Sequence, residues 1–137
     1  MAQQTTSYGL SVEVRLAYEP TVEKVREELA KEGFGVLTEI DVKQTLRKKL
    51  DVDFRPYVIL GACNPPIAHQ ALMAERDIGL LLPCNVIVYA SDEAGKTSVA
   101  AIDPVEQLKI TGNAEIEPFA REVRQKLERA LDAVAAS

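Results

Sequence analysis

Residues 8–18 read YGLSVEVRLAY. Tyr8, Leu10, Val12, Val14, Leu16 and Tyr18 fall on one side of an extended chain, and Gly9, Ser11, Glu13 and Arg15 on the other. A period of two is that of a strand with one apolar and one wet face. Strands of a doubly wound parallel sheet are covered on both faces and read as unbroken apolar runs. One wet face therefore indicates helices on one side of the sheet only, a two-layer α+β arrangement.

The rest of the chain fits that reading. Pro20 and Thr21 open a first helix lined by Val22, Val25 and Leu29, and Gly33 stops it. FGVLTEIDV is a second strand, and Val42, Leu46 and Leu50 mark a short helix that ends near DVDF. PYVILGAC is apolar on both faces and reads as an inner strand. Pro65 and Pro66 start a third helix, which runs to about Arg76. NVIVYAS and TSVAAID form a hairpin around DEAGK. Ile116, Phe119, Ala120, Val123, Leu127, Leu131 and Val134 make one long helical stripe. The expected order is β-α-β-α-β-α-β-β-α, with a mixed, mainly antiparallel sheet. Its uncovered face would mix polar residues with apolar ones such as Leu37, Val58 and Leu60.

The 137 residues suit one domain, 1–137, with residues 1–7 expected as a loose N-terminal tail. Net charge is −5, which argues against a nucleic-acid partner. The basic cluster Arg47-Lys48-Lys49 stands beside Asp41, Asp51 and Asp53 and reads as a solvated helix face. Glu39 and Asp41 read likewise as solvated carboxylates. Residues 1–9 lack the basic start and apolar stretch of a signal peptide. The apolar run from Ile78 to Ala90 is broken by Pro83, Cys84 and Asn85 and is too short to span a bilayer. A cytoplasmic location with reduced thiols is expected, and no membrane partner.

Chemistry concentrates at two junctions, Cys63-Asn64-Pro65 and Pro83-Cys84-Asn85. Asn64 stands where a helix cap belongs, and its side chain can accept from the N–H of Ile67. Pro65 and Pro66 have no N–H to offer, so this helix start is a poor phosphate cradle. Cys63 precedes the cap. The helix end could lower its pKa, or it could be a small apolar residue buried at a strand end. His69, the sole histidine, falls on the third helix. The Cys63, Cys84 and His69 spacings match no compact zinc signature, so no metal or other cofactor is expected. If the strands before Cys63 and after Pro83 are antiparallel neighbours, both Cys-Asn pairs border one pocket.

GFGVLTEIDV, DFRPYVILGACNPPIAH, GLLLPCNVIVY and AIDP together resemble the domain of unknown function 302 family, from about Tyr8 to Val134. The resemblance implies a compact α+β domain with an antiparallel-rich sheet, similar to the TATA-binding-protein-like arrangement and often dimeric. It implies no activity. Its matching positions are Cys63, Asn64, Pro65, Pro83, Cys84 and Asn85. The combined expectation is a homodimeric small-ligand-binding or assembly domain. Its candidate site is Cys63, Asn64, Pro65, His69, Pro83, Cys84 and Asn85. The alternative is a thiol-dependent enzyme or redox protein using Cys63, with Cys84 or His69 assisting.

Overall fold

The computed structural model describes residues 3–137; Met1 and Ala2 of the expected tail lie outside the described residues. Six strands form one sheet: β1 (Gln3–Thr6), β2 (Gly9–Val14), β3 (Gly35–Asp41), β4 (Tyr57–Cys63), β5 (Cys84–Ala90) and β6 (Thr97–Ile102). Their spatial order is β1-β2-β6-β5-β4-β3. Every neighbouring pair is antiparallel, so the sheet has no parallel component. Within the stretch expected as a loose tail, Gln3–Thr6 pairs with β2 as an edge strand.

The helices are α1 (Tyr18–Lys31), α2 (Val42–Leu50), α3 (Pro65–Ala74), α4 (Pro104–Leu108) and α5 (Glu117–Ala135). The alternation at the N-terminus continues past the strand itself. Thr21 sends both its N–H and its hydroxyl to the Ala17 carbonyl, at 3.2 and 2.7 Å, which draws Tyr18 into the helix. At the other end of α1, Gly33 takes φ +87°. Phe34 N–H then reaches back to the Leu29 carbonyl at 3.0 Å, a Schellman closure that turns the Phe34 ring inward. Asp41 caps α2 by accepting from Gln44 N–H at 2.9 Å, and Asp51 ends it in the left-handed region. Four elements go beyond the sequence reading: β1, a 3-10 segment at Arg76–Leu81, α4 and a 3-10 turn at Lys109–Thr111.

The covered sheet face carries Leu10, Val12 and Val14 of β2, Val58 and Leu60 of β4, Val86 and Val88 of β5, and Val99 of β6. These pack with Val25 and Leu29 of α1 and Leu127, Leu131 and Val134 of α5 into the main core. Burial of this kind contributes roughly 1.5–3 kcal/mol per large side chain. A second cluster joins Ala71, Ile78, Leu108, Ile116 and Ala120, where α3, the 3-10 segment, α4 and the start of α5 meet. The uncovered face differs from expectation in its members. Val58 and Leu60 point at the helices, and Leu37 lies at the register shift in β3. The apolar residues facing away are the alternate ones, among them Tyr57, Ile87, Tyr89, Ala100 and Ile102. No helix among the described residues is long and apolar enough to cross a membrane.

Candidate functional site

β4 and β5 run antiparallel, with Cys84 opposite Ala62 and hence one residue from Cys63. At this end of the sheet α3 departs from β4. Asn64 Oδ1 accepts from Ile67 N–H at 3.4 Å, while Asn64 Nδ2 donates to the Glu32 carbonyl at 3.3 Å. One side chain thus caps the start of α3 and ties it to the end of α1. A cavity of about 300 Å³ opens beside this joint. Cys63, Asn64, Pro83 and Cys84 line it, together with Phe34, Leu37, Ala62, Ile67, Ala68, Ala71 and Leu72. Ile78, Leu82, Pro104, Leu108, Phe119 and Val123 complete the walls. Phe34, Ala62 and Cys84 belong to the main core, and Ala71, Ile78 and Leu108 to the second cluster. The cavity is therefore the seam between the two.

Three of the seven sequence candidates are not brought to the cavity. Pro65 is exposed at the first position of α3. His69 is exposed and stands outside the lining, so it does not serve the thiols. Asn85 alternates with Cys84 and points to the opposite face of the sheet, into the broad concavity of about 920 Å³ there. The period of two already contained that result: adjacent strand residues cannot share a face. The wall residues Phe119 and Val123 had been absorbed into the helical stripe, and Ile78 and Leu82 into an apolar run. No local signal marked them as cavity lining.

The environment of the thiols is apolar. Burial raises the Cys63 pKa, and it pushes Cys84 up to about 11, the Cys63 thiol adding to the shift. Of the two readings of Cys63, a pKa lowered by the helix end and a small residue buried at a strand end, the shift runs against the first and with the second. The physical reason is local. The first two positions of α3 are prolines without N–H groups, and the Ile67 N–H is engaged by Asn64, so little positive potential is left to oppose desolvation. The pair is held as neutral thiols at physiological pH. Among the described residues no three His, Cys, Asp or Glu gather as a metal site.

The buried thiol has a consequence for alkaline stability. A folded pKa near 11 against an ordinary 9.0 means the native state holds its proton longer than the unfolded chain. That contribution, on the order of 2–3 kcal/mol, is fully present below the unfolded pKa. It is lost as the pH rises through the window from 9.0 to about 11. Urea unfolding of wild type and Cys84→Ala across that window should show the difference between them shifting against wild type as pH rises. A difference that stays constant with pH would show that Cys84 does not titrate as its burial implies.

The family model described as "Domain of unknown function DUF302" matches residues 10–134, and the chain belongs to that family. A crystal structure of an uncharacterized conserved protein DUF302 from Bacillus stearothermophilus is similar, with 31% sequence identity and a TM-score of 0.86. The match covers 94% of this chain and 99% of that one. No match was found among curated proteins.

Proposed function

We propose that this member of the DUF302 family is a homodimeric small-ligand-binding domain whose site is the seam cavity at the Cys63 and Cys84 junctions. One observation carries the reading: a concave, almost wholly apolar space left between two separately packed clusters. Interiors normally close such space, since voids forfeit dispersion contacts and cost stability. Ligand sites are concave and mostly apolar, from about 300 Å³ upward, with few polar groups. The polar groups here are two neutral thiols and the Asn64 amide, which is already engaged. The occupant is therefore small, uncharged and predominantly apolar. The thiols act as soft wall atoms, and the raised pKa values give no support to the thiol-enzyme alternative.

Native mass spectrometry of freshly purified protein, followed by organic extraction, tests for a retained ligand. A titration with the uncharged apolar fluorophore N-phenylnaphthylamine tests the site. Wild type should bind it with enhanced emission, and Ala68→Trp, which places an indole in the cavity, should weaken binding about tenfold or more. Occupancy should also slow maleimide labelling of Cys63. Equal binding by both proteins, or none by wild type, would overturn the assignment of the cavity.

A further inference from the structure

We infer that the homodimer forms face to face through α2 and the uncovered side of the sheet. The two-fold axis lies between the sheets, parallel to the strands. This rests on the homodimeric reading above and assigns its surface.

α2 has nine residues, none of them buried. Its apolar stripe is Val42, Leu46 and Leu50, and Leu50 remains 66% exposed. So short a helix is marginal on its own in water; its half-buried Val42 and Leu46 lie where it meets β3 and β4, and Leu50 at its end is left uncovered. The apolar surface does not stop at the helix. Val52 and Phe54 follow, both exposed. Lys43 of α2 donates to the Phe54 carbonyl at 2.8 Å, tying the two segments together. The Phe54 ring lies 6.1 Å from Tyr57, which stacks on Tyr89 at 5.2 Å. Tyr57 and Tyr89 belong to the uncovered face. The loop from Val52 to Phe54 thus joins α2 to the stacked tyrosines of the uncovered face, tyrosine being a residue type enriched at interfaces.

Its extent is adequate. Six strands spaced about 4.8 Å apart, each about 20 Å long, give roughly 500 Å² in projection. Relief of the side chains and the addition of α2 bring this toward the roughly 800 Å² per partner of a standard interface.

Charge identifies the occupant as a second copy. Residues 42–53 carry four cations and two carboxylates, a net +2 in a chain of net −5, so the remainder carries −7. Lys48 and Lys49 have no ion pair among the described residues, whereas Arg47 is engaged by Asp51 and Asp53. α2 extends from the β3–β4 side of the sheet, at the end where β2 carries Glu13 and the β5–β6 turn carries Glu93. An axis parallel to the strands carries α2 across to the partner's β2 side at that same end. There its lysines meet Glu13, which shares Lys96 with Glu93, a corner of two carboxylates and one cation. An axis perpendicular to the strands would place them at the opposite end, away from it.

Sedimentation equilibrium from low to high micromolar protein decides the matter. Wild type should be a dimer of the 15.0 kDa chain. Leu50→Glu and Val52→Glu should be folded monomers by circular dichroism, while Leu80→Glu, whose site is 87% exposed on the 3-10 segment, should stay dimeric. Lys48→Glu with Lys49→Glu should weaken the dimer about tenfold or more, and adding Glu13→Lys should restore it. A monomeric wild type would leave the face to some other partner and overturn the homodimer together with its surface. A dimer that survives Leu50→Glu and Val52→Glu would overturn the surface alone. Dissociation by those variants without the charge-swap recovery would overturn the axis. None of these outcomes bears on binding in the seam cavity, which the fluorophore titration reads separately.

Discussion

Replacing Asp103 by alanine should lower the unfolding free energy by roughly 2–4 kcal/mol. Asp103 is only 3% exposed, and both carboxylate oxygens are engaged. Oδ1 accepts from Val105 N–H at 2.9 Å and so caps α4; Oδ2 accepts from Arg124 Nε of α5 at 3.1 Å. The backbone N–H of Asp103 donates to the Tyr8 carbonyl at 2.7 Å, so the same residue holds the chain beside β2. The substitution removes a cap and leaves a guanidinium without its buried partner. Arg124 keeps some access to water and approaches Glu128 at 3.9 Å, which holds the loss below that of a fully interior pair. Asp103→Asn, which keeps an acceptor for Val105, should lose less. Urea denaturation of the three proteins provides the measurement. A loss under about 1 kcal/mol for alanine would place this carboxylate among ordinary surface caps.

Gly61→Val is expected to cost about 2–3 kcal/mol, for a steric reason. A Cβ at position 61 would stand 2.1 Å from Thr38 Oγ1 and 2.8 Å from Pro83 Cγ. Thr38 is exposed on the edge strand and can rotate, but the proline ring is rigid. The double variant with Thr38→Ala should therefore recover part of the loss and not all of it. Thermal melts of the single and double variants separate the two contacts. Full recovery would show that Pro83 yields, and no loss in the single variant would show that β3 moves aside freely.

The position of Gly61 also shows what the sequence could and could not reveal. The alternation in Tyr8–Val14 and the stripe from Ile116 to Val134 are local signals, repeated several times each. They were enough for the two layers and the element order. Asn64 as a cap was equally legible, because a cap depends on neighbours in sequence and on the missing N–H groups of two prolines. The contact of Gly61 with Thr38 and Pro83 depends on register between three strands, and no residue-level pattern carries it. The cavity is similar in kind. Its walls come from β4, α3, the 3-10 segment, α4 and α5, each contributing residues that read as ordinary core. His69, the sole histidine, is a candidate for its chemistry beside a thiol, yet its position on α3 turns it to solvent. Asn85 was grouped with Cys84 although strand alternation separates neighbours by face. Of the two readings open for Cys63, the helix end is a local charge effect and burial at a strand end depends on distant elements; the raised pKa follows the second.

The bridge made by Asn64 between the ends of α1 and α3 has a further consequence, one that concerns ageing. Asparagine side chains degrade over time when the backbone nitrogen of the next residue, having lost its proton, attacks the amide carbon and closes a five-membered imide. Pro65 supplies a tertiary nitrogen with no proton to lose. The side chain that joins two helices and borders the cavity is thus shielded, by the residue that follows it, from the commonest spontaneous route of asparagine damage. A protein kept for long periods would keep this joint while more ordinary asparagines decay.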